Sequence, residues 1–164
     1  GKFPTWWNIN GRNDGAHFYN GFKMSESIFN SAIKMQTFAS EFANKVSKGT
    51  VVALIGNLGA GKTTFTQGFA RGLGIDDHVI SPTFKLVSEY QGNQMLYHVD
   101  CYRLDEPKDF LNIGGEQFLN PVDGIALIEW AERIEPFWSD DWIFIYFYHI
   151  EDELDSRKIR ITGI

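Results

Sequence analysis

The spacing of apolar residues changes character along the chain, and each change predicts an element. Within residues 36–48, Phe38, Phe42 and Val46 recur every four positions with Ala39 and Ala43 beside them, the pattern of a helix burying one face, and Gly49 ends it. Thr50-Val-Val-Ala-Leu-Ile55 then forms a short, almost wholly apolar and β-branched run, as expected of a strand covered on both faces in a parallel sheet. After a glycine-rich turn, Phe65, Phe69 and Leu73 restore the four-residue spacing of a helix, with Gly72 and Gly74 supplying left-handed positions at its end.

Further on, residues 85–90 and 94–100 flank Gly92-Asn93, a pair that accepts the positive φ angles of a tight turn, so an antiparallel hairpin is expected. Asp105-Glu106-Pro107 reads as the cap and first turn of a short helix that Gly114-Gly115 terminates. A second buried strand, Gly124-Ile-Ala-Leu-Ile128, runs into Glu129. Residues 142–150 and 158–161 bracket the acidic stretch 151–155, predicting a closing pair of strands with the last at a sheet edge. Residues 1–23 follow neither period and mix aromatics with turn formers; they read as a leader or tag-like extension without regular structure. Met24, followed by Ser25 and Ser27 as candidate helix caps, then begins a single domain over 24–164.

Composition narrows the class. With 43% hydrophobic and 22% charged residues among 164, the chain has ordinary globular make-up, which excludes fibrous and low-complexity folds. Fifteen Lys and Arg against 21 Asp and Glu give a net charge of −6, so tight unaided binding to a nucleic-acid backbone is not expected. The one cysteine, Cys101, offers neither an internal disulfide nor a thiolate zinc site and points to a reducing cytoplasm. The longest apolar run, residues 142–148, falls far short of the ~20 residues of a membrane helix.

The chemistry centres on Gly56-Asn57-Leu58-Gly59-Ala60-Gly61-Lys62-Thr63, which matches glycine, four residues, then Gly-Lys-Thr, and lies between a buried strand and a helix as a phosphate loop must. Its backbone N–H groups can form an anion nest, the helix adds its positive dipole end, Lys62 would reach the β- and γ-phosphates, and Thr63 would ligate Mg²⁺. A carboxylate opposite the loop is also needed. Two strand-end acids qualify, Asp100 after 95–99 and Glu129 after 125–128. Ser81-Pro82-Thr83-Phe84 lies where a threonine sensing the γ-phosphate would enter. His98 alternates with Asp100 on one strand face, and Trp130 follows Glu129. A regulatory GTPase is disfavoured, since Asn44-Lys45, upstream of the loop, is the only Asn-Lys pair and no Asp-x-x-Gly switch occurs. The arginines Arg71, Arg103, Arg133, Arg157 and Arg160 are scattered singly, unlike the arginine lid of a small-molecule kinase, which stays the alternative.

Four blocks together resemble the TsaE (YjeE) family: Leu54 to Thr64, Ile80-Ser-Pro-Thr-Phe84, His98-Val-Asp-Cys-Tyr-Arg-Leu104 and Ile128-Glu-Trp-Ala-Glu132. The resemblance covers about residues 30–150. It implies a small ATPase that works with TsaD and TsaB subunits to make threonylcarbamoyladenosine at position 37 of tRNA. It also implies nucleotide contacts along Asn57, Leu58, Gly59, Ala60, Gly61, Lys62, Thr63 and Thr64, with Trp130 nearby. Mg²⁺ would be held by Thr63 and Glu129, and Asp100 and Thr83 would be needed for hydrolysis. The expectation is therefore a three-layer α/β domain of the phosphate-loop type, with a mainly parallel sheet and an inserted antiparallel hairpin. Its chemistry would be hydrolysis of Mg·ATP, with Lys62 neutralising charge and Asp100 or Thr83 orienting water. A nucleotide-gated interaction module with negligible turnover is a further alternative.

Overall fold

The computed structural model describes residues 17–19, 22–82 and 85–163. Among these residues eight strands form one sheet in the order β1-β2-β8-β7-β3-β6-β5-β4. In chain order they are β1 (His17–Tyr19), β2 (Phe22–Phe29), β3 (Val51–Ile55), β4 (Val87–Gln91), β5 (Met95–Asp100), β6 (Gly124–Glu129), β7 (Ile143–Ile150) and β8 (Glu153–Thr162). The helices are α1 (Ala32–Ala43), α2 (Lys62–Gly72) and α3 (Pro107–Asn112). The core β7-β3-β6-β5 is parallel throughout, and the antiparallel strands lie to either side of it.

The all-apolar β3 is explained by two-sided cover. Val52 and Leu54 face the layer of α1 and α2, whereas Val51 and Ala53 face Phe110 of α3 and residues Phe118, Ala131 and Ile134 of two short 3₁₀ segments. The first interface is aromatic, with Phe38 and Phe42 of α1 meeting Phe65 and Phe69 of α2. It is also unusually close. A Cβ on Gly68 would lie 2.4 Å from the Gln36 carbonyl oxygen and one on Gly72 2.2 Å from that of Ser40, so these glycines let α2 press its backbone onto α1.

Several expectations change. The first helix starts and stops about a turn earlier than its pattern indicated. Ser31 caps it by accepting the Lys34 N–H at 3.2 Å, and Met35 extends the buried stripe toward that cap. Ser25 and Ser27 are not caps but positions within β2. Regular structure also reaches into residues 1–23, because β1 and the start of β2 pair there. β8 is not an edge strand, since β2 hydrogen-bonds its outer side from Met24↔Thr162 to Phe29↔Arg157. Gly72 stays helical, and only Gly74, at φ +76°, takes the left-handed position. The hairpin β4–β5 and the Glu106-capped helix α3 lie where expected, but the hairpin turn spans residues 92–94 and neither Gly92 nor Asn93 takes a positive φ; Gly92 is needed instead because a Cβ there would lie 2.3 Å from the Leu73 carbonyl oxygen. Among the described residues no helix is long and apolar enough to cross a membrane.

Candidate functional site

Strands β3, β5 and β6 end side by side, and their C-terminal ends carry the chemistry, as parallel α/β sheets commonly arrange. Beyond β3 the chain must turn sharply without striking β7. Gly56 permits this, because a Cβ there would sit 2.9 Å from the Phe147 carbonyl oxygen. Gly59 at φ +75° and Gly61 at φ +108° then take left-handed backbone conformations that side chains resist, and Gly61 is the N-cap of α2. No side chain caps that helix, so its first N–H groups are left to an anion.

Lys62 is 5% exposed and folds back over its own loop. Its Nζ donates to the Gly56 carbonyl and to the Asn57 carbonyl, the latter at 2.9 Å, and lies 4.1 Å from the centre of the Trp130 ring. Burial holds its pKa below the usual lysine range, opposed by the charges of Glu132, Glu129 and Asp100. The Thr63 hydroxyl donates to Glu129 Oε1 at 3.3 Å. Glu129 is 2% exposed, and its other oxygen is hydrogen-bonded to the buried His98 Nε2.

Asp100 stands directly across from Glu129 in the β5–β6 register and accepts the Tyr102 N–H at 2.9 Å. Burial raises its pKa and the neighbouring Glu129 raises it further, against the Tyr102 hydrogen bond and the His98 and Lys62 side chains. The two candidate carboxylates are thus distinguished: Glu129 bonds Thr63, and Asp100 bonds backbone. Trp130 takes a left-handed conformation at φ 56°, which turns the chain out of β6. Its ring packs on Tyr102 at 4.9 Å.

A cleft of about 650 Å³ opens over these groups, lined by Lys62, Thr63, Ser81, Asp100, Glu129 and Trp130. Of the expected residues, Leu58, Gly59, Gly61 and Thr64 also border it, Ala60 is buried beneath the loop, and Thr83 lies outside the described residues. A second cleft of about 390 Å³ shares Gly59, Gly61 and Thr64 and is bounded by Met35 and Arg157, whose guanidinium donates to the Gly59 carbonyl at 3.3 Å.

Three residues given no role from the sequence take part. Arg103 and Lys85 line the main cleft, so cations are closer to the loop than their scattered positions indicated. Glu132 is half-buried near the loop, and burial raises its pKa against the opposing charges of Lys62 and Arg133 and the Gly56 backbone. The spacing Asp100–Arg103 and Glu129–Glu132, three residues past a strand-end acid in both cases, was the available signal. Burial pushes the Cys101 thiol well above its usual range, which removes it as a nucleophile.

The donor set suits a hard cation. Thr63 and Glu129 offer a hydroxyl and a carboxylate oxygen in contact. Among the described residues no group of three or more His, Cys, Asp and Glu is arranged to hold an ion, so phosphate oxygens would have to complete the shell, as is usual for Mg²⁺ in nucleotide sites.

Residues 29–159 match the family model described as threonylcarbamoyl adenosine biosynthesis protein TsaE. Proteins named tRNA threonylcarbamoyladenosine biosynthesis protein TsaE are similar along the chain. That of Bacillus subtilis is 40% identical over 117 residues, covering 71% of each chain. That of Haemophilus influenzae is 35% identical over 136 residues, covering 79% of this chain and 85% of the relative. The match to the Treponema pallidum protein, at 46% identity, spans 65% of that protein's length. The crystal structure of Bacillus subtilis YdiB superposes with a TM-score of 0.73 at 33% identity, covering 90% of this chain and 88% of that one.

Proposed function

The chain belongs to the TsaE family, and from that premise we propose that it is a Mg²⁺-dependent ATPase that supports threonylcarbamoyladenosine modification of tRNA by acting on a TsaD–TsaB complex in the cytoplasm. The observation that carries this reading is the contact of Thr63 in the phosphate loop with Glu129 at the end of the neighbouring strand. That pair joins a phosphate cradle to a cation ligand, the minimum that phosphoryl transfer requires.

The loop from Asn57 to Thr64 binds the phosphates through backbone N–H groups and the free end of α2. Lys62 already rests on two carbonyl oxygens, and moving its ammonium to phosphate oxygens exchanges weak acceptors for charged ones. Thr63 and Glu129 would hold the metal, which would supply charge neutralisation to the bound phosphates. Asp100 bonds the Tyr102 N–H, whereas Thr63 bonds Glu129, and it lines the same cleft, so it is assigned to the attacking water; its raised pKa makes it a better proton acceptor than an ordinary aspartate. Thr83 shares this assignment on family resemblance. Trp130 braces Lys62 and would lie near the bound nucleotide. Residues 24–164 are taken as the ATPase domain.

Paired variants test the division of labour. Glu129→Ala is expected to abolish the Mg²⁺ dependence of nucleotide binding while leaving metal-free binding near wild type, and Asp100→Ala to lower turnover with binding retained. The reverse pattern would exchange the two roles, and phosphate recovered on a metabolite instead of in water would favour a kinase.

A further inference from the structure

One buried polar side chain behind the cleft has no role in the chemistry above. His98 is 0% exposed, sits on β5 between Ser88 of β4 and Leu127 of β6, and takes no part in binding or hydrolysis as described. An imidazole buried so completely costs free energy unless its nitrogens are bonded. Only one of them is: Nε2 meets Glu129 Oε2, while Nδ1 is buried with no partner among the described residues. The ring is accordingly in the tautomer that carries its proton on Nε2, donating to the carboxylate.

This placement follows from strand register. His98 pairs with Leu127, so Glu129 lies two residues further along β6 on the same face, within diagonal reach. Asp100, directly across from Glu129, uses its Oδ1 on the Tyr102 N–H instead. His98 therefore engages one oxygen of Glu129 from inside the sheet, and Oε1, beside the Thr63 hydroxyl, is the oxygen left for the cleft.

We propose that His98 is a positioning residue for the cation site, fixing the Glu129 carboxylate from behind so that Oε1 and the Thr63 hydroxyl are held together as a preformed oxygen pair. Hydrogen bonds to ligating carboxylates commonly set metal affinity in this way, and their loss costs about 10–100-fold. The inference rests on the reading of Glu129 as the cation ligand, and the test separates the two.

The test measures ADP binding by titration calorimetry, in EDTA and in Mg²⁺, for the wild type, His98→Leu and His98→Gln, with a thermal melt of each. Leucine keeps the buried volume without a donor; glutamine returns an N–H near the position of Nε2. The expected result for His98→Leu is a roughly 10–100-fold weaker Mg²⁺ affinity, that is, a rise of that size in the Mg²⁺ concentration giving half the enhancement. Binding in EDTA should stay within about twofold, and His98→Gln should recover most of the Mg²⁺ response. A Mg²⁺ response in His98→Leu equal to wild type overturns the proposal while leaving the Glu129 reading standing. So does equal loss in both variants together with a lowered melt, which would make His98 merely structural. Absence of any Mg²⁺ effect in the wild type would overturn the cation-site reading itself.

Discussion

Removing the Lys62 ammonium separates what the loop needs for folding from what it needs for binding. In the free protein, Lys62→Ala deletes two hydrogen bonds to the Gly56 and Asn57 carbonyls and the contact with the Trp130 ring. Against this, the mutation relieves the burial of a charge whose pKa is already driven down by desolvation. The opposed effects leave stability changed by only about 1–2 kcal/mol, since bonds to a charged group are worth ~1.5–3 kcal/mol each and the desolvation of one ion costs several. On phosphate the balance differs. The acceptors become anionic, nothing replaces the lysine, and two charge-assisted bonds are lost at ~1.5–3 kcal/mol apiece, or ~3–6 kcal/mol together. At ~1.4 kcal/mol per tenfold, this is a loss of roughly 10²–10⁴ in affinity for ADP or ATP. Titration of a fluorescent ADP analogue with Mg²⁺ present reads it directly, alongside circular dichroism and a melt. A loss of less than about tenfold in a variant with wild-type dichroism would refute the claim that Lys62 is aimed at the phosphates.

Other consequences follow from the same geometry. Because burial and Glu129 raise the Asp100 pKa, a base at that position is protonated and inactive at pH values where an ordinary aspartate is ionised; the kcat–pH profile should lose activity on acidification above the ordinary value of 3.8, and a profile flat down to that pH would exclude Asp100 as the base. Truncation to Met24 removes β1 but keeps the β2–β8 pairing from Met24 to Phe29 and the Glu26–Arg160 ion pair, so melting temperature should shift by no more than a few degrees and nucleotide binding should persist; loss of folding would show that the preceding residues anchor the sheet. With a net charge of −6, the chain alone should bind tRNA no tighter than micromolar in a filter assay at physiological salt, and submicromolar binding would contradict that expectation.

What could be read from the sequence was whatever neighbouring residues determine. The phosphate loop is such a case: three glycines, a lysine and a threonine between an apolar strand and a helix specify both conformation and chemistry within eight positions. The β4–β5 hairpin is legible too, since Gly92-Asn93 interrupts two strand-like runs, although the turn closes over three residues without the positive φ that this pair allows. Features set by distant pairing were not legible. Whether β8 is an edge depends on β2, joined to it from the other end of the chain through contacts such as Glu26 with Arg160. The early start of α1 was hidden because Ser31 follows the strand instead of interrupting the apolar pattern that marks the helix. Within the site, Glu129 and Asp100 were equivalent as strand-end acids until register and rotamer put Thr63 on one and the Tyr102 N–H on the other. The roles of Glu132 and His98 were not legible for the same reason, since Lys62 and Glu129, which act on them, reach them only in the folded protein.

The central claim is that this site hydrolyses Mg·ATP and that its turnover serves a TsaD–TsaB assembly. The most direct test is the steady-state release of inorganic phosphate by the purified chain with ATP and Mg²⁺, with and without the TsaD–TsaB pair, and with Lys62→Ala as the control. Slow release by the chain alone, raised on adding the pair and absent in Lys62→Ala, is the result predicted. Release that is unaffected by the pair, or that survives in a folded Lys62→Ala protein, would contradict it.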